Sequence, residues 1–344
     1  MSNIFQLALE KNNINRPPVW FMRQAGRYHT HYQQLRQKYS FIDLCKKPEL
    51  ACEVTLGPVE DFGFDAAILF SDLLFPLEVM GMGLQYNPSP KLDWHLQTLD
   101  DLKKLKYGDK LVSQLDFQAE AIGMIRKVLR KEVGLLGFVG GPLTLFFYAA
   151  NGTHQNKLTD GVFAGFVEKL LPLLADNMIA QAKAGVDAIA IFDTSAGEID
   201  LKTYKAQVLP VLKILLERFK YTCPNTPVIY YAKGIGHDFW EELKKLPIAC
   251  LGIDWRHDIA QTLSSWHQHF AIQGNIDPSW LLLTQQELEI KLRHIFMKVK
   301  QLPLNMRKGW ICGLGHGVLP NTPDYNIRLF IKLQKEIFAY EICS

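Results

Sequence analysis

Pro18-Val19-Trp20-Phe21-Met22-Arg23-Gln24-Ala25-Gly26-Arg27-Tyr28 stands near the start of the chain. It reads as a short buried strand, Val19 to Met22, running into a turn where Gly26 lets the backbone bend between two arginines. The segment decides the fold because it begins a series. Short, nearly continuous apolar runs recur at Ala66 to Phe70, Leu135 to Val139, Ala188 to Phe192, Val228 to Tyr231, Cys250 to Ile253, Ala271 to Gln273 and Trp310 to Leu314. Runs apolar on both faces are parallel strands covered by helices. With the first segment there are eight, each with room for a helix after it. That predicts an α/β fold, a single (β/α)8 (TIM) barrel over residues 1–344.

An open doubly wound sheet is the competing architecture, with a nucleotide at its switch point. No GxGxxG follows the first strand, and no GxxxxGK[ST] occurs anywhere. Pro48 to Phe62 has helical spacing with proline in its first turn. Leu73 to Val112, with Gly81, Gly83, Pro88 and Pro90, is the least regular stretch and reads as an elaborated loop over one end of the barrel.

A formal charge of +3 is too small to imply nucleic acid binding. The basic residues are instead local: Arg23, Arg27, Arg36, Lys38, Lys46 and Lys47 are opposed only by Asp43. Arginine presents a rigid fork that pairs carboxylate in two parallel hydrogen bonds, so this cluster suits a substrate with several negative charges. Cys45, Cys52, Cys223, Cys250, Cys312 and Cys343 form no CxxC pair, and a chain this long needs no disulfide staples. Six free thiols are expected. Met1 to Asn15 lacks a signal-peptide layout, and no apolar run reaches the roughly 18 residues of a membrane span. The expectation is a cytoplasmic protein with no membrane partner.

In such a barrel, chemistry sits where strands end and βα loops begin. Those positions hold Arg23 and Arg27, Asp72, Gly140-Gly141-Pro142 with Tyr148 beyond, Asp193-Thr194-Ser195, Lys233-Gly234, Asp254-Trp255-Arg256, Asn275 to Pro278, and Gly315-His316-Gly317. Each also has a plain structural use. Asp72 suits a turn or a helix cap, Tyr148 suits the core, and Asp254, Asn275 and Asp277 suit strand-end turns. His316 is the more unusual, because glycines on both sides suggest close backbone approach and an accessible imidazole. Of ten histidines, His267 and His269 would point to different helix faces, and His29 and His31 lack supporting ligands, so no metal site is read.

Taken in order, these segments resemble the uroporphyrinogen decarboxylase family. Pro18 to Tyr28 is similar to that family's PVWxMRQAGRY, and Ile68-Leu69-Phe70-Ser71-Asp72 to its FSD segment. Gly137 to Pro142 with Thr144 and Tyr148, Ile191-Phe192-Asp193, Gly252 to Trp255, Gln273 to Pro278 and Leu314 to Gly317 match as well. The resemblance implies a (β/α)8 barrel without cofactor or metal, acting as a homodimer with facing clefts. It implies a tetrapyrrole substrate, uroporphyrinogen III, whose four acetates are decarboxylated in turn to give coproporphyrinogen III. It also implies Asp72, Arg23 and Arg27 as catalytic groups, and Arg36, Tyr148, Thr194 and His316 beside them as substrate contacts. Two departures stand out. Arg27-Tyr28 continues as His29-Thr30-His31-Tyr32-Gln33, which loses a proline, an acid and a base that the family carries, in what reads as a cleft loop, and Thr194 replaces a serine. A corrinoid-linked, zinc-dependent methyltransferase of the same barrel superfamily would need a thiolate and histidine set, and only Cys312 lies near a strand end. A tetrapyrrole-binding paralogue without turnover is the non-enzymatic alternative.

Overall fold

The computed structural model describes residues 2–13, 16–86, 89–154, 158 and 161–339. Pro88 and Cys343 therefore lie outside the described residues. Strand β1 is Ala66–Ile68, and β2 (Leu84–Tyr86) pairs with β3 (Pro90–Leu92) in a separate hairpin. The remaining strands are β4 (Gly134–Gly140), β5 (Ala188–Phe192), β6 (Val228–Tyr231), β7 (Cys250–Gly252), β8 (Ala271–Ile276) and β9 (Trp310–Leu314). The order β1-β4-β5-β6-β7-β8-β9 is parallel throughout, as continuous apolar runs separated by helices require.

These are seven strands. The eighth place is held by the expected first strand, which is reduced to one parallel bridge, Val19 to Cys312. On one side the Trp20 amide donates to the Cys312 carbonyl at 3.1 Å, and the Cys312 amide to Pro18 at 2.8 Å. On the other, the Asp65 amide donates to the Val19 carbonyl at 3.0 Å. The segment thus joins β9 to the start of β1. It forms no longer ladder for local reasons. Pro17 and Pro18 lack amide protons, the Val19 amide goes to the Asp65 carboxylate at 2.7 Å, and the Phe21 amide to the Gln24 side chain at 3.2 Å. Gly313 of β9 allows this contact, since a Cβ there would lie 2.2 Å from the Trp20 carbonyl oxygen.

Packing behind the closing segment is aromatic. Phe21 meets Phe64 and Phe330 edge to face, at 5.0 and 4.8 Å between centroids. Burying such rings stabilises by about 0.5–1.5 kcal/mol per pair beyond the area term. The main apolar core runs from Phe5 to Phe338, and Tyr32, Leu35, Leu44, Leu50 and Val54 form a smaller cluster. The helix Pro48–Phe62 forms as its spacing predicts. The stretch after Leu73 contains a π-helical turn (Glu78–Met82), the β2–β3 hairpin and two 3-10 turns (Asp101–Lys104, Asp109–Leu115). No helix among the described residues is long and apolar enough to cross a membrane. Cys45, Cys52, Cys223, Cys250 and Cys312 are free thiols.

Candidate active site

The turn after Val19 holds Arg23 in the left-handed region, at φ 60°. A bulky side chain there costs on the order of 1–3 kcal/mol and persists only when its neighbours over-determine it. They do so here. Gln24 donates to the Ala66 carbonyl at 2.9 Å, the Tyr28 hydroxyl donates to the Gln24 carbonyl, and the Val318 amide donates to Met22 at 3.0 Å. The Arg23 stem then lies on Gly317, where a Cβ would sit 2.4 Å from Cδ. The glycine beside His316 is therefore a seat for Arg23, and the Arg23 guanidinium is left exposed.

Asp72 follows β1. Ahead of it, the Phe70 amide is taken by Thr55 Oγ1 at 2.9 Å, and Ser71 Oγ accepts from Gln118 at 2.8 Å. Asp72 Oδ1 accepts the Leu74 amide at 2.8 Å, an Asx turn that fixes the carboxylate. The turn-capping use thus holds for one oxygen. The site is enclosed enough that burial raises the Asp72 pKa, while the Leu74 amide, the nearby Tyr86 hydroxyl and Arg23 act to lower it. Tyr86, at the end of β2, packs its ring on Phe41 at 4.6 Å and sets its buried hydroxyl beside Asp72.

Arg23 is the electrostatic centre of what surrounds it, since its charge acts on Asp72, Tyr148, His154, Tyr231 and His316. The Tyr148 hydroxyl stands 2.9 Å from His154 Nε2, with the rings edge to face at 4.8 Å. Burial and then Asp72 raise the Tyr148 pKa, so its hydroxyl keeps its proton. Tyr231 donates to the Gly315 carbonyl at 2.8 Å and lies 3.0 Å from His316 Nδ1, its ring stacked on the imidazole. The Tyr231 proton is committed to the carbonyl, so His316 donates from Nδ1 and keeps Nε2 as an acceptor. Burial, then Arg23, Lys233 and His154, push the His316 pKa down to about 4, against Asp254. An unliganded site thus holds neutral His316 at pH 7, and an imidazolium there needs the charge of a bound anion.

Other expected residues have neighbours of their own. Arg27 is exposed and, with Arg36, acts on Tyr32; Arg36 also donates to the Tyr39 carbonyl at 2.6 Å on the outer helix Thr30–Lys38. Thr194 is half-buried at the start of the turn after β5. Asp193 is consumed internally: Thr144 donates to Oδ1 from both amide and hydroxyl at 2.9 Å, and the Tyr230 hydroxyl donates to Oδ2 at 3.2 Å. Asp254 is likewise taken by Gly234 and Arg256, and Asp277 caps Ser279.

The His29-Thr30-His31 segment is not a cleft loop. It enters the helix Thr30–Lys38 and turns inward. Buried His29 bonds Asp61 at 2.6 Å, and His31 lies against Gly57 with Glu53 at 3.5 Å, so both rings face the helix Pro48–Phe62. A small residue at Gly57 and acids at Glu53 and Asp61 accommodate them. Among the described residues, no three His, Cys, Asp or Glu side chains gather as a metal-ligand set.

Sequence reasoning overlooked His154, Tyr231 and Tyr86. Tyr230 and Tyr231 look alike as core residues of β6, yet strand alternation sends one to Asp193 and the other to His316. His154 lies after a helix and carries no strand-end signal.

A family model described as Uroporphyrinogen decarboxylase (URO-D) matches residues 2–337. The uroporphyrinogen decarboxylase of Pelobacter propionicus is 35% identical over 328 residues, covering 93% of this chain and 94% of its own. That of Geobacter metallireducens is 35% identical over 335 residues, covering 95% and 96%. Among solved structures, a methyltransferase from Methanosarcina mazei matches with TM-score 0.75 and 17% identity, over 98% of this chain and 100% of its own. A B12-independent methionine synthase from Shewanella sp. W3-18-1 matches with TM-score 0.52 and 12% identity, over 93% of each. At these identities the two structures share the fold alone.

Proposed function

The chain belongs to the uroporphyrinogen decarboxylase family, and it is a carboxy-lyase that decarboxylates uroporphyrinogen in tetrapyrrole biosynthesis; from that premise we propose how its strand-end cleft performs the reaction. The observation that carries the proposal is that the charge of Arg23 acts on Asp72, Tyr148, Tyr231 and two imidazoles together, with one Asp72 oxygen fixed by the Leu74 amide. The substrate is uroporphyrinogen III, and the four acetates are lost in turn to leave coproporphyrinogen III.

Removing carbon dioxide from an acetate leaves an electron pair that needs a sink. Protonation of the ring carbon beside the acetate makes the pyrrole cationic and iminium-like. The C–C bond pair then flows into the ring as carbon dioxide departs, a second proton at the exocyclic methylene gives the methyl, and loss of the proton first added to the ring carbon restores the neutral pyrrole, so that one proton is consumed for each carbon dioxide released. Positive charge on the ring is what the site must stabilise. Asp72 does this as a carboxylate: Oδ1 is anchored by Leu74, and the group accepts pyrrole N–H donors while facing the cation. Arg23 is assigned delivery of the ring proton and is reprotonated from solvent. A guanidinium is a weak acid, which makes this the slow transfer of the cycle.

Arg23, Arg27 and Arg36 meet substrate carboxylates, with Tyr148, Thr194 and neutral His316 as hydrogen-bonding partners. The protein acts as a single barrel domain, a cytoplasmic homodimer with facing clefts and no cofactor. The test is anaerobic incubation with uroporphyrinogen III, followed by oxidation and separation of porphyrins by carboxylate count. Sequential seven-, six-, five- and four-carboxylate products are expected. Tight binding with eight carboxylates retained would contradict the reading.

A further inference from the structure

His154 belongs to none of the strand-end segments, yet it is half-buried with its Nε2 on the Tyr148 hydroxyl at 2.9 Å. We propose that His154 is a positioning residue: its Nε2–H donates to the Tyr148 oxygen and so turns the single Tyr148 proton toward a carboxylate of the bound substrate. The proposal rests on the reading of Tyr148 as a substrate contact.

The argument is one of proton counting. A phenol has one proton to give, and a substrate carboxylate can only accept. If Tyr148 donates to the substrate, its oxygen must accept from His154, which places the imidazole proton on Nε2. The other nitrogen agrees with this arrangement. Among the described residues, His154 Nδ1 is buried and has no hydrogen-bond partner. With the proton on Nε2, Nδ1 buries an unpaired acceptor; the opposite tautomer would bury an unpaired N–H, the rarer and costlier defect. That opposite tautomer would also take the Tyr148 proton for an internal bond, leaving none for substrate.

The surroundings keep the ring neutral, as a one-proton donor requires. Burial, Arg23 and Lys233 all lower the His154 pKa, opposed by Glu198. Edge-to-face contact with the Tyr148 ring holds the two groups in register. His316 with Tyr231 forms a second imidazole–tyrosine pair within the field of Arg23. There the carbonyl of Gly315 takes the tyrosine proton, so in that pair it is His316 Nε2, not the phenol, that is left for the cleft.

The test is a double-mutant cycle in steady-state kinetics with uroporphyrinogen III, using His154→Phe, His154→Gln, Tyr148→Phe and the double Phe variant. His154→Phe keeps a ring but loses the donor, and should raise KM about tenfold with kcat within about twofold, as loss of one oriented hydrogen bond does. His154→Gln, whose amide N–H reaches the Nε2 position, should restore KM to within about threefold. In the Tyr148→Phe background, His154→Phe should add nothing, an outcome that loosened packing alone would not give. A Tyr148→Phe defect with His154→Phe neutral, fully additive or unrescued by Gln overturns the proposal and leaves the Tyr148 reading intact. Unchanged KM in Tyr148→Phe removes Tyr148 from substrate binding, and the proposal with it.

Discussion

Asp72 and Asp193 each follow an apolar parallel strand, β1 and β5, and each opens a βα loop. Their surroundings differ in one respect. Asp193 has both oxygens taken, by Thr144 and Tyr230, and the Tyr204 hydroxyl lies 3.0 Å from Tyr230 behind them. Asp72 gives one oxygen to the Leu74 amide and has the rest of its carboxylate beside Arg23 and Tyr86. The first arrangement ties loops together; the second leaves an acceptor for a ligand. Position after a strand is thus shared by structural and functional aspartates, and the count of occupied lone pairs separates them. Burial raises the pKa of both, so the contrast is one of hydrogen bonding and not of acidity.

Breaking the comparison at Asp72 should have the largest effect. Asp72→Asn should lower kcat by about 10³ or more, near 4 kcal/mol on the barrier, with thermal stability unchanged or slightly higher because a buried charge is removed. Turnover of uroporphyrinogen and a melting curve on the same sample check both halves. Asp193→Ala should do the reverse, costing about 2–4 kcal/mol in denaturant unfolding because buried donors lose their acceptor. A stable Asp193→Ala protein would mean that its network is not what ties the loops.

The cleft's histidines sharpen the comparison through pH. An unfolded His316 takes a proton near 6.5 and the folded one only near about 4. Its stability contribution is therefore complete above about 6.5 and is lost as pH falls toward 4, by roughly 1–3 kcal/mol after allowance for solvent screening. The raised pKa of Asp72 acts with opposite sign, so the difference in unfolding free energy between wild type and His316→Gln isolates the histidine. A smaller slope in His316→Gln is expected. The smallest effect on chemistry belongs to His31→Ala: the ring faces Gly57 and Glu53, so kcat/KM should stay within about threefold. A loss of tenfold or more would return that segment to the cleft.

The sequence made the barrel legible because its strands are apolar on both faces, as at Ala188–Phe192, and its helices begin with clear signals, as at Pro48. It misled at Val19 to Met22, where the prolines and the side chains of Asp65 and Gln24 replace ladder hydrogen bonds with local ones. In the site, Arg23, Asp72 and His316 were readable from strand-end position and flanking glycines. His154 and Tyr231 were not, because their roles depend on tertiary partners, Tyr148 and His316, far from any motif spacing. The same limit explains His29 and His31, whose acidic partners lie on another helix.

Asp72 is assigned the role of an anion, and that can be observed directly. The measurement is the carboxyl 13C shift of Asp72, assigned by its loss in Asp72→Asn, titrated in free enzyme and in an anaerobic complex with coproporphyrinogen III. An ionised signal at neutral pH in both states, with a free-enzyme midpoint above the ordinary aspartate value, is predicted. A carboxyl protonated at neutral pH in the complex would contradict the role and require another group to face the cationic ring.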